Sequence, residues 1–379
     1  MNANSSVSLA TNSSLFEQSN STFNSTALKA EDESNHYARD VFLIILYSIT
    51  GFLAFYGNYL VCRIIFARNS TLKNSTNILV GNLAISDVLG GATIFLQWIF
   101  CWEYVLIVWK IEFPCALVKS LQVLSFYMSS LIMMLIAIER FMSIMYPLSP
   151  PLNSKLYVTI TWVLTSLFVA SSIGSAKIFK YFTSDRLISC QIVLEFTRPF
   201  DSKKMRSQRV WGIWLGQYVI PLVVTGILYA IIARKIWTQK KVGASTAASQ
   251  EARDAKKKKI VLMLIVVVVV FALCWLPLHA LNFTDYVIKQ LENKKGTGNK
   301  GKLCNDSTTY FVLYWLGISS CCYNPFIYWW MNPDFRRGFK KLLPKFIAEH
   351  LSKDYEVSDG NIQIQSKQGT ELTNPSSSN

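Results

Sequence analysis

Residues 260–271 read IVLMLIVVVVVF, twelve residues without one polar side chain. A surface helix of a soluble domain needs a polar face, whereas a helix in lipid satisfies its backbone hydrogen bonds internally and can be apolar all round. Seven such apolar runs span roughly 41–66, 78–100, 117–145, 156–176, 211–237, 260–283 and 310–331. Each is near or above the ~20 residues that cross a hydrocarbon core of ~30 Å. The sequence therefore predicts an all-α membrane protein with a seven-transmembrane helix bundle.

Composition agrees with a membrane protein, since 51% of the 379 residues are hydrophobic and 16% are charged. A soluble protein with seven buried helices is the alternative, and it is disfavoured because buried helices rarely run so long unbroken. The net charge of +15 does not indicate nucleic acid. The basic runs flank the spans, where they suit the anionic headgroups of membrane lipids.

Glycosylation signals predict the orientation of the chain. Four Asn-x-Ser/Thr sites fall in the polar N-terminal tail, at Asn4, Asn12, Asn20 and Asn24. Their clustering predicts a glycosylated tail outside the cell. The positive-inside rule adds modest support, because the predicted inner loop that carries Lys256–Lys259 is basic but the outer loops are basic too.

The chain divides into four predicted segments. Residues 1–40 form the disordered outer tail, 41–331 the bundle, 332–347 a short amphipathic helix on the membrane surface, and 348–379 a disordered cytoplasmic tail. The amphipathic helix is predicted because Phe335, Phe339, Leu342 and Leu343 recur at helical spacing among basic residues.

Polar groups inside the spans are candidate functional sites, because a charge at mid-membrane costs several kcal/mol. Each of the seven segments carries such a group or another distinctive motif. In chain order they are Gly57-Asn58; Leu83-Ala84 with Asp87; Cys115 and Glu139-Arg140-Phe141; Trp162; Pro221 and Tyr229; Phe271 with Cys274-Trp275-Leu276-Pro277; and Asn324-Pro325-Phe326-Ile327-Tyr328. Over about residues 40–345 this set resembles the rhodopsin-like (class A) G protein-coupled receptors.

The resemblance implies a set of residues for activation and G protein coupling. They are Glu139, Arg140, Tyr229, Phe271, Trp275, Pro277, Asn324, Pro325 and Tyr328. Prolines within a helix remove a backbone hydrogen bond and bend the axis, so the late helices can hinge. The alternative is that prolines are simply commoner in membrane helices.

The resemblance also implies an ion site and a disulfide. Asp87, Ser129, Ser320 and Asn324 resemble the family's buried sodium pocket, and no other cofactor is expected. A neutral, hydrogen-bonded Asp87 remains the alternative. The resemblance predicts a bridge between Cys115 and Cys190 in an oxidising compartment. A second bridge between Cys101 and Cys304 stays open.

Two residue types that are each missing from one span exclude two classes of ligand. Residues 310–331 contain no lysine for a retinal Schiff base, and residues 119–138 contain no aspartate to pair an amine. Trp275, His279, Asn282 and Tyr286 share one helical face. The predicted neutral-polar pocket consists of Gln97, Gln122, Gln217, Trp275, His279, Asn282, Asp285 and Tyr286. About half of this set could instead be interhelical contacts.

Such a pocket suits the amides of a peptide. Residues 274–280 are similar to neuropeptide Y-type receptors, and residues 139–150 to neuropeptide FF-type receptors. Those families pair a ligand arginine with an acid near Asp285, which lies one residue early here. An acidic or neutral peptide is therefore an open alternative.

The resulting prediction is a multi-pass plasma-membrane receptor that binds an extracellular peptide and activates a heterotrimeric G protein. Arrestin and a receptor kinase are expected at the C-terminal tail. A class A receptor for a non-peptide ligand is one alternative and a membrane transporter another, although the halves show no internal repeat. An enzyme is not expected, since only three histidines occur and no Ser-His-Asp set is visible.

Overall fold

A computed structural model describes residues 38, 41–67, 70, 72, 74–100, 113–173, 176–177, 182–183, 186–187, 195–196, 211–212, 214–238, 247–294 and 308–342. Eight helices fall within these residues. They are α1 (Val41–Phe66), α2 (Ser75–Phe100), α3 (Phe113–Met145), α4 (Ser154–Ile173), α5 (Trp214–Thr238), α6 (Ala247–Lys294), α7 (Thr308–Met331) and α8 (Pro333–Leu342).

Among the described residues between α4 and α5 are four strands of two residues each. They are β1 (Ala176–Lys177), β2 (Phe182–Thr183), β3 (Arg186–Leu187) and β4 (Glu195–Phe196). Antiparallel pairing joins β1 to β4 and β2 to β3. The fourth apolar run was expected to reach residue 176, but α4 ends at Ile173 and Ala176 already belongs to β1.

By length and composition, α1, α2, α3, α5 and α6 can each cross a membrane. α4 carries a shorter apolar stretch, Ser154–Ala170. α7 has 24 residues, and its serines, tyrosines and Asn324 dilute an otherwise apolar segment. The seven helices coincide with the seven predicted spans, and the predicted seven-helix bundle is confirmed.

The sixth helix is longer than its apolar run. Residues 260–283 were expected to be helical and Lys256–Lys259 to lie in a loop, but α6 continues over Ala247–Lys294, 48 residues. That expectation was wrong at both ends. An apolar run marks only the part of a helix that lies in lipid. Alanine, glutamate and lysine are strong helix formers in water as well, so the helix can continue beyond that part. The lysines therefore sit on a helical extension of α6.

The interior of the bundle centres on α3, whose Met128, Ile132 and Ile136 are almost completely buried. Large apolar side chains also cover the circumference, and Leu164, Leu167 and Leu273 are each more than 60% exposed. Apolar side chains on both faces are what a lipid-embedded bundle requires.

Helix α8 follows α7 after Asn332. Phe335 and Phe339 are buried against the bundle, while Leu342 is exposed. The ring of Phe335 lies 5.3 Å from that of Tyr328, and the ring of Phe339 lies 5.7 Å from that of Trp329. The structure thus shows an amphipathic helix at the predicted place. The remainder of the predicted segment, including Leu343, lies outside the described residues.

Candidate functional site

A polar network joins three helices at the middle of the bundle. The carboxylate of Asp87 is buried, with 2% of the residue exposed. The hydroxyl of Ser129 donates to its Oδ1 at 2.8 Å, and Nδ2 of Asn324 donates to its Oδ2 at 2.7 Å. Both donors are neutral, so these two hydrogen bonds supply no positive charge to the buried carboxyl group. The arrangement ties α2 to α3 and α7.

A cavity adjoins this carboxylate. Its walls include the hydroxyls of Ser129 and Ser320, the amide of Asn324 and the rings of Phe126, Phe271 and Trp275. Carboxylate, hydroxyl and amide oxygens are the donors that hard cations prefer. The residues therefore fit the sodium ion that the resemblance implied. Ser320 lines the cavity, but its hydroxyl accepts a hydrogen bond from Trp275 Nε1 at 3.1 Å.

At two of the three prolines within the spans, a side chain from a neighbouring helix donates a hydrogen bond to the carbonyl that the proline leaves without a partner. Pro325 has no N–H for the carbonyl of Cys321, four residues earlier, and Asn58 Nδ2 donates to that carbonyl at 2.8 Å. In the same way Pro221 leaves the carbonyl of Gln217 free, and the Ser130 hydroxyl donates to it at 2.5 Å. Each proline predicts that the carbonyl four residues earlier lacks a backbone donor. The sequence does not show which side chain takes the place of that donor.

The turn that precedes Pro221 is a π-helix, Trp214–Val219. Sequence reasoning missed it, since apolar periodicity does not distinguish a π turn from an α turn. Single π turns within α-helices are frequently found at functional sites. This one places Gln217 and Tyr218 in the interior.

Trp275 contacts His279 of the predicted ligand pocket and lines the Asp87 cavity, and only 4% of it is exposed. Its ring meets the edge of Phe126 at 4.7 Å and lies 6.2 Å from Phe271. Gly317 of α7 leaves room for it, because a Cβ there would be 3.2 Å from the indole. Pro277 follows two residues later inside α6, so the indole sits beside the predicted hinge.

At the inner end of α3, Glu139 and Arg140 form an ion pair. Arg140 Nε lies 3.0 Å from Glu139 Oε2, and 19% of the arginine side chain is exposed. The hydroxyl of Thr76, at the start of α2, donates to the same carboxylate oxygen. Sequence reasoning did not find Thr76, since nothing in the local sequence marks it as a partner of α3.

Two tyrosines predicted for activation lie in the same half of the bundle. Tyr229 and Tyr328 are buried, with 5% and 1% exposed. The Tyr328 hydroxyl has no hydrogen-bond partner among the described residues. A polar group without a partner in the interior is costly, which favours a role in a second arrangement of the helices.

In the predicted ligand pocket, Gln122 is 2% exposed and accepts a hydrogen bond from the Tyr314 hydroxyl at 2.7 Å. Its Nε2 has no partner within the described part of the chain. His279 is similar: its ring lies 4.5 Å from Tyr218 and 5.7 Å from Trp275, and its buried Nε2 makes no hydrogen bond to a described residue. Among the predicted pocket residues, these two carry a buried nitrogen without a described hydrogen-bond partner. Tyr314 was not predicted.

The other predicted pocket residues are less informative. Gln217 is buried, Tyr286 is half-buried and Asn282 is exposed. The side chains of Gln97 and Asp285 lie outside what the structure describes.

An aromatic cluster joins the outer ends of α5 and α6. Trp211, just before α5, lies 5.6 Å from Phe283 and 6.1 Å from Tyr286, and Trp214 stacks on Phe283 at 5.2 Å. Only Tyr286 was predicted to matter here. Tryptophan and phenylalanine are common in membrane spans, so no signal in the sequence pointed to the cluster.

Several predictions fall outside the described residues. They concern the Cys115–Cys190 bridge, the Cys101–Cys304 alternative, and the sequons at Asn4, Asn12, Asn20 and Asn24. Of the described cysteines, Cys62, Cys274, Cys321 and Cys322 carry free thiols.

Comparison with known proteins defines the family. The family model described as "7 transmembrane receptor (rhodopsin family)" matches residues 57–328, more than half of the chain. This chain belongs to that family. The match confirms the predicted class A membership and seven-helix fold, and it confirms that the chain is a receptor and not an enzyme.

Individual receptors are also similar. The Substance-P receptor of Homo sapiens is 28% identical over 322 residues, which cover 81% of this chain and 73% of that receptor. The RYamide receptor of Drosophila melanogaster is 26% identical over 332 residues, which cover 83% of this chain and 66% of that receptor. The narrower resemblance to neuropeptide Y and neuropeptide FF receptors stays a prediction.

Proposed function

We propose that this chain is a plasma-membrane receptor that binds an extracellular peptide and activates a heterotrimeric G protein. The observation that carries the proposal is two buried nitrogens without a partner among the described residues, Gln122 Nε2 and His279 Nε2, the second on a ring 5.7 Å from Trp275. Buried nitrogens without partners become satisfied when a ligand carbonyl reaches them. Family membership and the similarity to a Substance-P receptor and a RYamide receptor support a peptide as the source of such carbonyls.

The route from ligand to G protein follows the contacts. A peptide group at His279 acts on Trp275, whose indole bonds Ser320 at the Asp87 cavity. A shift of Trp275 changes the bend at Pro277 and moves the inner end of α6. Arg140 then leaves Glu139 and receives the G protein. Since the ligand stabilises one of two arrangements, G protein should in turn tighten peptide binding.

The finer roles are proposed on the same basis. Asp87, Ser129 and Asn324 would hold a sodium ion, with Ser320 on the cavity wall, and such an ion would neutralise the buried carboxylate. Cys115 and Cys190 form the outer bridge, and the four N-terminal sequons carry glycans. Residues 348–379 receive a receptor kinase and arrestin, and the basic flanks meet anionic lipids.

The test is Arg140→Ala, with amidated peptides as probes. Peptide-stimulated nucleotide exchange is expected to fall at least tenfold at equal surface expression, while peptide binding without G protein persists. Lys155→Ala is the control, because Lys155 is an exposed cation at the start of α4. Unchanged exchange in Arg140→Ala would refute the proposed coupling role.

A second arm addresses the ligand. Gln122→Leu should weaken the active peptide about tenfold or more, because the variant loses both an amide donor and the bond from Tyr314. Tyr314→Phe removes only that bond and keeps the amide, so it serves as the control. Equal affinity in Gln122→Leu and wild type would exclude Gln122 from the peptide site.

A further inference from the structure

An ion pair joins α6 to α8 at the inner side of the bundle. Nζ of Lys256, on the helical extension of α6, lies 3.0 Å from Oδ2 of Asp334, in the first turn of α8. Oδ1 of the same carboxylate meets Arg337 Nη2 at 2.5 Å, within α8. Asp334 thus holds one cation of its own helix and one cation of a different helix. The side chain of Asp334 is 21% exposed and that of Lys256 55%.

Asp334 is well fixed on its side of the pair. Its backbone N–H donates to Asn332 Oδ1 at 3.0 Å, which caps α8. An acid in the first turn of a helix is also favoured by the helix dipole. Phe335 is fully buried, and Gly338 packs so closely on Ile64 of α1 that a Cβ would be 2.6 Å from that side chain. α8 therefore offers a rigid attachment point.

The carboxylate is charged at neutral pH. Burial alone would raise the pKa of Asp334, but the hydrogen bonds from Lys256 and Arg337 outweigh burial and hold the pKa below its ordinary value. The pair is therefore ionic under the conditions in which the receptor works.

Lys256 lies on the part of α6 that moves most when the helix bends at Pro277. The two residues are 21 positions apart (277 − 256), which is ~31 Å of helix. Proline is among the few features that produce helix kinks sharper than ~20°, and a change of only ~10° shifts the position of Lys256 by ~5 Å. When that shift is directed away from α8, the ion pair breaks. The Glu139–Arg140 pair lies within α3 and cannot restrain α6 in this way.

We propose that the Lys256–Asp334 ion pair holds the inner end of α6 against α8 in the resting receptor. Asp334 is a positioning residue: it touches neither ligand nor G protein in this role, and its charge sets the basal activity. The inference rests on the proposed function in one respect, namely that movement of α6 activates the G protein.

The first measurement is basal nucleotide exchange without peptide, at equal surface expression. Asp334→Asn and Lys256→Gln are each expected to raise it about two- to fivefold, as for the loss of a half-exposed ion pair. The double variant should rise no further than either single variant, since both remove one interaction. Arg337→Gln is the matched control, because it removes the other cation from the same carboxylate and leaves α6 attached. Asp334→Glu keeps the charge and should stay near wild type.

The second measurement reports α6 directly. Spin labels on Lys259→Cys and Lys341→Cys, both exposed positions, give the α6–α8 distance by double electron–electron resonance, with the background from the native thiols subtracted. Asp334→Asn should shift the distribution to longer distances and Arg337→Gln should not. An unchanged distribution, or single effects that multiply in the double variant, would overturn the ion-pair role. Longer distances without increased exchange would uphold the ion pair and refute the proposed coupling to G protein.

Discussion

The cross-helix bond at Pro325 makes a quantitative prediction about Asn58. Replacing Asn58 by alanine removes the donor that reaches the Cys321 carbonyl at 2.8 Å. Pro325 cannot supply an N–H, so this carbonyl loses a partner in a region from which water is excluded. The second bond of Asn58, to the Ala54 carbonyl at 2.9 Å, matters less because that carbonyl lies inside a regular helix and keeps its backbone partner.

The expected magnitude is that of one carbonyl acceptor left without a partner, less a smaller gain because the variant also loses Asn58 Oδ1, which has no partner among the described residues. A buried polar group left without a partner costs ~1–3 kcal/mol, and the space left by the deleted amide adds to this cost. Asn58 is 0% exposed, so the freed carbonyl lies away from bulk solvent. Asn58→Ala should therefore lower the melting temperature of the purified receptor by several degrees.

The assay can use the receptor's own thiols. Cys274, Cys321 and Cys322 are buried and free, so a maleimide dye reacts with them only as the bundle opens on heating. Thr161→Ala is the control, because Thr161 also donates to a helix carbonyl, that of Tyr157 at 2.8 Å, but this carbonyl keeps its normal helical partner. Its melting temperature should stay within about one degree of wild type.

A double-mutant cycle tests whether the loss of stability in Asn58→Ala arises from the missing N–H of Pro325. In Pro325→Ala the new N–H can bond the Cys321 carbonyl, so Asn58→Ala should cost ~1–2 kcal/mol less on that background than on wild type. Equal costs on the two backgrounds, or no cost on wild type, would refute the link between the proline and the asparagine.

Three further predictions follow from burial and close contact. Wild-type receptor should melt higher in sodium than in potassium chloride, and Asp87→Asn should abolish the difference, since the cavity then lacks a negative ligand. Gly57→Ala should cost ~1–3 kcal/mol in thermal unfolding, because its Cβ would lie 2.9 Å from the rigid ring of Pro325. Phe335→Ala should cost ~3–5 kcal/mol or release α8, seen as faster proteolysis after residue 332, because this ring is fully buried against Tyr328.

The fold was largely predictable from the sequence, for a physical reason. Lipid imposes one strong requirement, a run of about twenty apolar residues, and the run is local in sequence. The limits of α6 were missed for the same reason, since Ala247–Lys259 is helical without being apolar. Polar residues within the spans also stand out against apolar neighbours, so Asp87, Asn324 and Arg140 are recognisable from the sequence alone.

The partners of those residues could not be predicted. Thr76 reaches Glu139 across 63 residues of sequence and Tyr314 reaches Gln122 across 192. Such pairs depend on how each helix is rotated about its axis. In a soluble helix the apolar face fixes that rotation, but here both the lipid face and the core face are apolar. Periodicity therefore leaves rotation undetermined, and with it every cross-helix hydrogen bond.

The aromatic contacts at the outer end of α6 and the ion pair at its inner end have unequal strength. At its outer end, three aromatic contacts join Phe283 and Tyr286 to Trp211 and Trp214, and such contacts contribute ~0.5–1.5 kcal/mol each beyond their buried area. At its inner end, the Lys256–Asp334 pair is half-exposed, and exposed pairs contribute ~0–1 kcal/mol.

The hinge at Pro277 lies between these two attachments. Of these two end contacts, the ionic one costs less to break. We therefore expect the inner end of α6 to move first, while the aromatic cluster keeps the outer ends of α5 and α6 together. Phe283→Ala should weaken that preference: it removes two of the three aromatic contacts, so the spin-label shift between α6 and α8 on peptide binding should shrink. A shift of unchanged size would show that the aromatic cluster does not anchor the outer end.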